Sequence, residues 1–234
     1  MIIGMSNLIN FLCYKKKLKI KTICVGNIYV GGTGKTPISI EIYKILKKSK
    51  IKSVFIKKKR FSHSDEIKLL SKIGPIISLK SRIKSIEDAQ RKKFKCAIFD
   101  DGLQDKLLNY DFKIVCFDKK NFIGNGKLIP AGPLRESLNS LKKYDIIFFN
   151  GLEKLERNII SKIKKINNKL EIFETNPIII NKNKIKKQKK YLIFSGIGNP
   201  NSFKKLLERE NFKITKYITF PDHFNFSDLD IFTI

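Results

Sequence analysis

Acidic residues are scarce in this chain. Asp and Glu total 21 against 49 Lys and Arg in 234 residues, which leaves a formal net charge of +28. Such a surplus favours anionic partners, whether nucleotides, nucleic acid or acidic membrane surfaces, and its sign alone does not choose among them. An AT-rich genome, which enriches Lys, Ile, Asn and Phe together, produces the same bias. Histidine is nearly missing: only His63 and His223 are present, each within two residues of an aspartate, so any imidazole proton transfer falls to those two. The four cysteines, Cys13, Cys24, Cys96 and Cys116, form no Cys-x-x-Cys pair, which removes the metal and redox signatures that such pairs carry. Three of them lie in apolar, strand-like runs and read as buried free thiols. Long hydrophobic runs are also lacking. Ile2 to Leu12, followed by Lys15-Lys16-Lys17, is too short and interrupted to span a bilayer; it suits either a membrane interface or an ordinary helix packed on the core. With no secretory signal visible, the catalytic body is expected in a reducing cytoplasm. Internal repeats, heptads and long disordered tracts are absent too.

What is present is a glycine loop. Val25-Gly26-Asn27-Ile28-Tyr29-Val30-Gly31-Gly32-Thr33-Gly34-Lys35-Thr36 follows an apolar run, Lys21–Val25, and precedes Ile38, Ile42, Ile45 and Leu46 at helical spacing, with Pro37 in the first turn. Strand, glycine loop and helix in that order make a phosphate cradle: Gly31, Gly32, Thr33 and Gly34 let backbone N–H groups approach an anion. Lys35 would reach the outer phosphates and the Thr36 hydroxyl would ligate Mg²⁺. The implied ligand is ATP or GTP. The strict eight-residue pattern wants glycine six residues before the lysine, and this chain has Tyr29, so the loop is a variant. A glycine-rich turn can also be mere punctuation between strand and helix.

Further strand-like runs at Ser53–Ile56, Ile76–Leu79, Cys96–Phe99, Ile114–Phe117 and Ile146–Phe149, several separated by helix-length stretches, predict an α/β fold with a mostly parallel sheet. A helical pattern over Leu152–Ile166 leads to extended runs at Glu171–Thr175 and Ile178–Ile180, with a hinge at Asn176-Pro177. After a basic polar stretch, Asn181–Lys190, the strand-like Tyr191–Ser195 opens a second, smaller α/β lobe. The expected division is an N-terminal membrane-surface segment at 1–20, a P-loop NTPase-like core at 21–175 and the smaller lobe at 176–234.

Two carboxylates, Asp100 and Asp101, emerge at the end of the Cys96–Phe99 run, the edge of an open α/β sheet where ligands bind; either would hold Mg²⁺ on a nucleotide opposite Thr36. An Asp-Gly turn is the plainer alternative. Gly124–Glu136 is too rich in glycine and proline for helix or central strand and reads as a shaped loop. In it Arg135 is placed to clamp phosphate and Glu136 to hold a metal, a water or the arginine, unless the pair is a structural salt-bridged corner.

Four blocks together resemble one family, tetraacyldisaccharide 4′-kinase, the lipid A 4′-kinase of Gram-negative bacteria: Val25–Pro37, Asp100-Asp101-Gly102-Leu103-Gln104, Gly124–Glu136, and the pair Gly196–Pro200 with Phe220-Pro221-Asp222-His223. The resemblance implies phosphorylation of the 4′-hydroxyl of a membrane-embedded tetraacyl glucosamine disaccharide 1-phosphate with ATP and Mg²⁺, at the cytoplasmic face of the bacterial inner membrane. Ser64-Asp65-Glu66 matches the family's Asp-Glu segment, so the resemblance makes Asp65 the aspartate that activates the hydroxyl and His223 its partner from the second lobe, brought together by lobe closure. It also gives Lys35 and Thr36 to phosphate and metal, Asp100 and Asp101 to the metal and its shell, and Gln104, Arg135 and Glu136 to the nucleotide side. A monomer on an anionic membrane surface, with a lipid disaccharide substrate and no nucleic acid, is the expectation. Lys57–Ser62 stands where the family usually has an Arg-Gly-Tyr-type stretch, and Asp105 replaces the usual histidine after Gln104. Ser227–Ile234 ends where the family normally continues, so a truncated and inactive member is a second expectation. A partitioning or metal-delivery P-loop ATPase shares the glycine core but places a signature lysine where this chain has Val30, and a nucleic-acid binder would need the aromatic interleaving that is missing.

Overall fold

A computed structural model describes residues 20–59, 64–105, 107–222 and 224–233. The expected N-terminal segment before residue 20, Cys13, His63 and His223 lie outside them.

Among the described residues, nine strands and six α-helices follow one another. They are β1 (Lys21–Gly26), α1 (Lys35–Lys48), β2 (Ser53–Ile56), α2 (Ser64–Ile73), β3 (Ile76–Ile77), α3 (Arg82–Arg91), β4 (Cys96–Asp100), β5 (Phe112–Asp118), β6 (Ile146–Asn150), α4 (Arg157–Ile166), β7 (Glu171–Thr175), β8 (Lys190–Ser195), α5 (Pro200–Arg209), β9 (Lys213–Thr219) and α6 (Asp228–Thr233). The first seven strands form one sheet in the order β3-β2-β4-β1-β5-β6-β7, parallel at every pairing. The α/β expectation therefore holds, and β1, which feeds the glycine loop, is central. Strand order reverses about β1, so the crevice beyond the carboxyl ends of β4, β1 and β5 is where such a sheet takes ligands.

Period-two alternation sorts the core onto two faces. Val54 and Ile56 of β2 with Ala97 and Phe99 of β4 pack under Ile86 and Ala89 of α3. Phe55 and Ile98, pointing the other way, meet Tyr43 of α1 and Leu70 of α2. Past β1, Val115 and Phe117 of β5 join Phe149 and Ile163 on one face, while Ile114 and Cys116 face Ile38 of α1 on the other. Helices on both faces explain why central strands read as unbroken apolar runs, and each fully buried Ile or Phe contributes about 1.5–3 kcal/mol. Cys24, Cys96 and Cys116 are buried free thiols, as expected.

Several boundaries differ from the sequence reading. β3 is only Ile76–Ile77. The helix expected from Leu152 begins at Arg157, because Leu155 is drawn into the core ahead of the first turn. Ile178 and Ile180 form no strand and stand 79% and 92% exposed. After β7, β8 pairs in parallel with β9, which the sequence reading lacked, in a separate two-stranded sheet with a register shift at Tyr191/Leu192. Asn199 caps α5 by accepting from the Ser202 amide at 3.2 Å, Pro200 fills the first helical turn, and Leu207 is buried. Tyr217 of β9 donates to the Pro200 carbonyl (2.8 Å) and meets Ser195 Oγ (2.6 Å), which fastens this helix to its sheet.

Candidate active site

The loop between β1 and α1 is held open from beneath. Asn27 donates through Nδ2 to the Gly31 carbonyl (3.3 Å), and Gly31 and Gly34 take φ of 126° and 78°, conformations that L side chains rarely adopt. A Cβ on Gly34 would also lie 2.3 Å from Asn150 Nδ2. Gly34 caps α1 without a side-chain bond, and the helix's own first turn brings no acidic residue to that end. Thr33 is 1% exposed and its Oγ1, like Asn27 Oδ1, has no hydrogen-bond partner among the described residues. A buried orphan hydroxyl in a glycine cradle fits an incoming anion.

The shaped loop proves to be the brace of this cradle. Val30 donates its amide to the Pro133 carbonyl (2.9 Å), Arg135 its amide to the Ile28 carbonyl (2.7 Å), and Tyr29 bridges Leu134 in antiparallel fashion. Leu134 is buried, and the Ile129–Pro130 peptide is cis. Only glycine fits at 132, because a Cβ would come 2.5 Å from the Lys127 carbonyl oxygen. Glu136 accepts from Gln104 Nε2 (3.1 Å) and from the Tyr144 hydroxyl (3.1 Å), while Gln104 also donates to the Asn27 carbonyl (2.8 Å). Burial, and then Glu136 beside it, raises the Tyr144 phenol, which therefore stays a donor. Gln104 and Glu136 are thus joined to each other and to the loop that leaves β1 at Asn27.

The two carboxylates after β4 turn to different partners. Asp101 has left-handed backbone (φ 64°) and lies 4.0 Å from Lys35 Nζ and 3.4 Å from Arg135 Nη1. Burial works against its charge, but Lys35, Arg135, Lys57 and Arg82 outweigh that and hold it below the usual aspartate range. Arg82 donates to the Asp101 carbonyl and to Asp105 Oδ2 (3.0 Å), so the aspartate after Gln104 is anchored by a cation. Asp100 is 1% exposed and accepts from Thr36 Oγ1 (3.0 Å) and Ser39 Oγ (3.3 Å).

Two residues that the sequence reading left without a role complete this cluster. Lys57, at the end of β2, sits with Nζ 2.6 Å from Asp100 Oδ2 and 2.6 Å from Glu66 Oε2. Glu66, in the first turn of α2, also accepts from Thr36 Oγ1 at 3.4 Å. Burial opposes the Lys57 charge, yet Asp100 and Glu66 prevail and raise its ammonium above the ordinary lysine range. Lys57 heads a run of four basic residues, which reads as solvated surface, and its only clue was the apolar strand immediately before it. Thr36, Asp100 and Glu66 offer oxygen donors alone, the set a hard divalent cation takes. Asp65, next to Glu66, is exposed in that same first turn.

Beside the cradle is a cavity of about 350 Å³, lined by Gly32, Gly34, Asp118, Asn150, Pro177 and Phe203 among others. It lies between the two sheets. Gly198, after β8, packs against the loop: a Cβ there would be in ordinary contact with the Gly32 amide nitrogen at 3.5 Å, and Lys205 of α5 reaches Glu153 at 3.2 Å.

A glycine cradle at a helix start, a lysine and threonine behind it, and carboxylates on the neighbouring parallel strand define a P-loop nucleotide-binding protein. Comparison with known proteins narrows the class. Residues 5–234 match the family model described as tetraacyldisaccharide-1-P 4′-kinase. The tetraacyldisaccharide 4′-kinase of Pelagibacter ubique is 47% identical over 212 residues, covering 91% of this chain and 68% of that protein; the one from Rickettsia rickettsii is 35% identical over 233 residues, covering 92% and 70%. The crystal structure of LpxK from Aquifex aeolicus in complex with ATP superposes with a TM-score of 0.71 at 27% identity, over 97% of this chain and 80% of that one. This chain belongs to the tetraacyldisaccharide-1-P 4′-kinase family.

Proposed function

We propose that this chain transfers a phosphoryl group from ATP to the 4′-hydroxyl of a tetraacyl glucosamine disaccharide 1-phosphate, a lipid A precursor. The observation that carries the reading is the meeting of Lys35 and Thr36 with Asp101 and Asp100 at the carboxyl edge of the sheet, in a chain matched to that family almost end to end.

Phosphoryl transfer asks chiefly for positioning and charge neutralisation. The Gly31–Gly34 amides and Lys35 bind the β- and γ-phosphates, and Arg135, held by Asp101, adds a second cation from the bracing loop. The donor set fits Mg²⁺: Thr36, Asp100 and Glu66 would hold it, and when bound it would supply neutralisation of the transferring phosphate. The cavity between the sheets takes the rest of the nucleotide. Asp65 accepts the proton of the attacking 4′-hydroxyl, supported by its place beside Glu66 at the phosphate end of the sheet; His223 is its partner by family resemblance. The division into a core at 21–175 and a lobe at 176–234 is supported by the change of sheet after β7. Association with an anionic membrane surface is supported by the +28 charge; among the described residues no helix is long and apolar enough to cross a membrane.

The test is incubation of the protein in mild detergent with Mg²⁺, ATP and tetraacyl disaccharide 1-phosphate, with Lys35→Ala as control. Lysine-dependent addition of one phosphate, seen by mass spectrometry, is expected. ATP binding without product would redirect the reading to an inactive member of the family.

A further inference from the structure

Lys57 plays no part in that reading. It is 2% exposed, and its Nζ shares Asp100 Oδ2 with the Thr36 hydroxyl while also reaching Glu66. The ammonium is therefore seated among the oxygens that would receive a nucleotide-bound divalent ion. We propose that Lys57 is the resident cation of this site: in the nucleotide-free protein it holds the divalent ion's place, so that metal binds only together with nucleotide.

Three arguments converge. Two carboxylates and one ammonium carry one net negative charge instead of two, and an entering divalent ion would meet a like charge within hydrogen-bonding distance, in a site that water screens poorly. A buried ammonium leaves such partners only for another anion, and nucleotide phosphates supply both that anion and the oxygens a small divalent ion prefers. Among the described residues there is no group of three or more His, Cys, Asp or Glu able to hold a metal by itself, so the protein alone brings too little charge to displace the lysine. The carboxylates meanwhile stay in place, because the lysine bridges them.

The inference rests on the nucleotide reading, and the experiment separates the two. Mn²⁺ is titrated into the full chain without nucleotide and free Mn²⁺ is followed by electron paramagnetic resonance, for the native protein, Lys57→Met, Lys57→Arg and Lys57→Met combined with Asp100→Asn. Lys57→Met should bind Mn²⁺ about tenfold or more tighter than the native protein. Lys57→Arg should not, and Asp100→Asn should abolish the gain. Equal Asp100-dependent affinity in the native protein and Lys57→Met overturns the proposal. If Lys57→Met does not fold, native melting decides: a rise with Mn²⁺ and ATP but not with Mn²⁺ alone supports the placeholder, whereas an Asp100-dependent rise with Mn²⁺ alone overturns it. No rise with Mn²⁺ and ATP together removes the nucleotide reading, and the inference with it.

Discussion

Asp101 joins the phosphate lysine to the bracing loop, and its charge makes a prediction with a definite sign. Its folded pKa is lowered, so the stability it contributes is present above the ordinary aspartate value of about 3.9 and is lost as pH falls through the lowered value. Asp101→Asn keeps a residue type that tolerates left-handed backbone. The variant should melt below the native protein at neutral pH, and the gap should close on acidification; a gap constant with pH would remove the electrostatic account. The thiols give a second residue-scale expectation. Burial pushes Cys96 up to about 11 and Cys116 to about 12, and raises Cys24 further. In a Cys13→Ser background the native protein should take up almost no disulfide reagent at mildly alkaline pH, and three equivalents once unfolded. Lys35, Thr36 and the Asp100-Asp101 pair were legible at this scale because the loop and strand around them carry local signatures. Lys57 and Glu66 were not, since a lysine in a basic run becomes a buried partner only when β2 and β4 pair, and no local pattern encodes that pairing.

Among the elements, the Gly124–Glu136 loop matters most, because it pairs with the phosphate loop along Ile28–Val30. Gly132→Ala places a methyl against the Lys127 carbonyl, a backbone atom that cannot swing aside. The substitution should cost about 1–3 kcal/mol in urea unfolding and weaken ATP binding as well, although residue 132 is outside the cradle. Unchanged ATP affinity would mean that the loop does not brace the site. Helix α5 supplies a milder comparison: Asn199→Ala removes its cap and should cost about 1 kcal/mol. Elements read best where apolar runs are continuous, as in β4 and β5. The last strand, Lys213–Thr219, escaped because a lysine opens it and another interrupts it in the middle, and its inward residues are only half covered. Its pairing with β8 is what makes it a strand.

For the whole molecule, the charge of +28 should act at a surface. Co-sedimentation with vesicles rich in anionic phospholipid should be strong at low salt and fall steeply as salt rises, while neutral vesicles retain little. Salt-insensitive binding would instead point to apolar insertion. The alternation of strands and helices foretold the large sheet, but not how near the smaller one would stand, because that depends on contacts between residues far apart in the chain.

The close approach of Gly198 to Gly32 has a thermodynamic reach of its own. Two glycine-containing loops, one following β1 and one following β8, line a single cavity, so a change in the posture of the smaller sheet should be felt at the phosphate loop. Linkage is reciprocal: if an acceptor lipid that shifts that sheet changes nucleotide affinity, nucleotide must change lipid affinity in equal measure. A side chain larger than a methyl at Gly198, which would have to fit between Asp222 and the Gly32 amide, should weaken both affinities together.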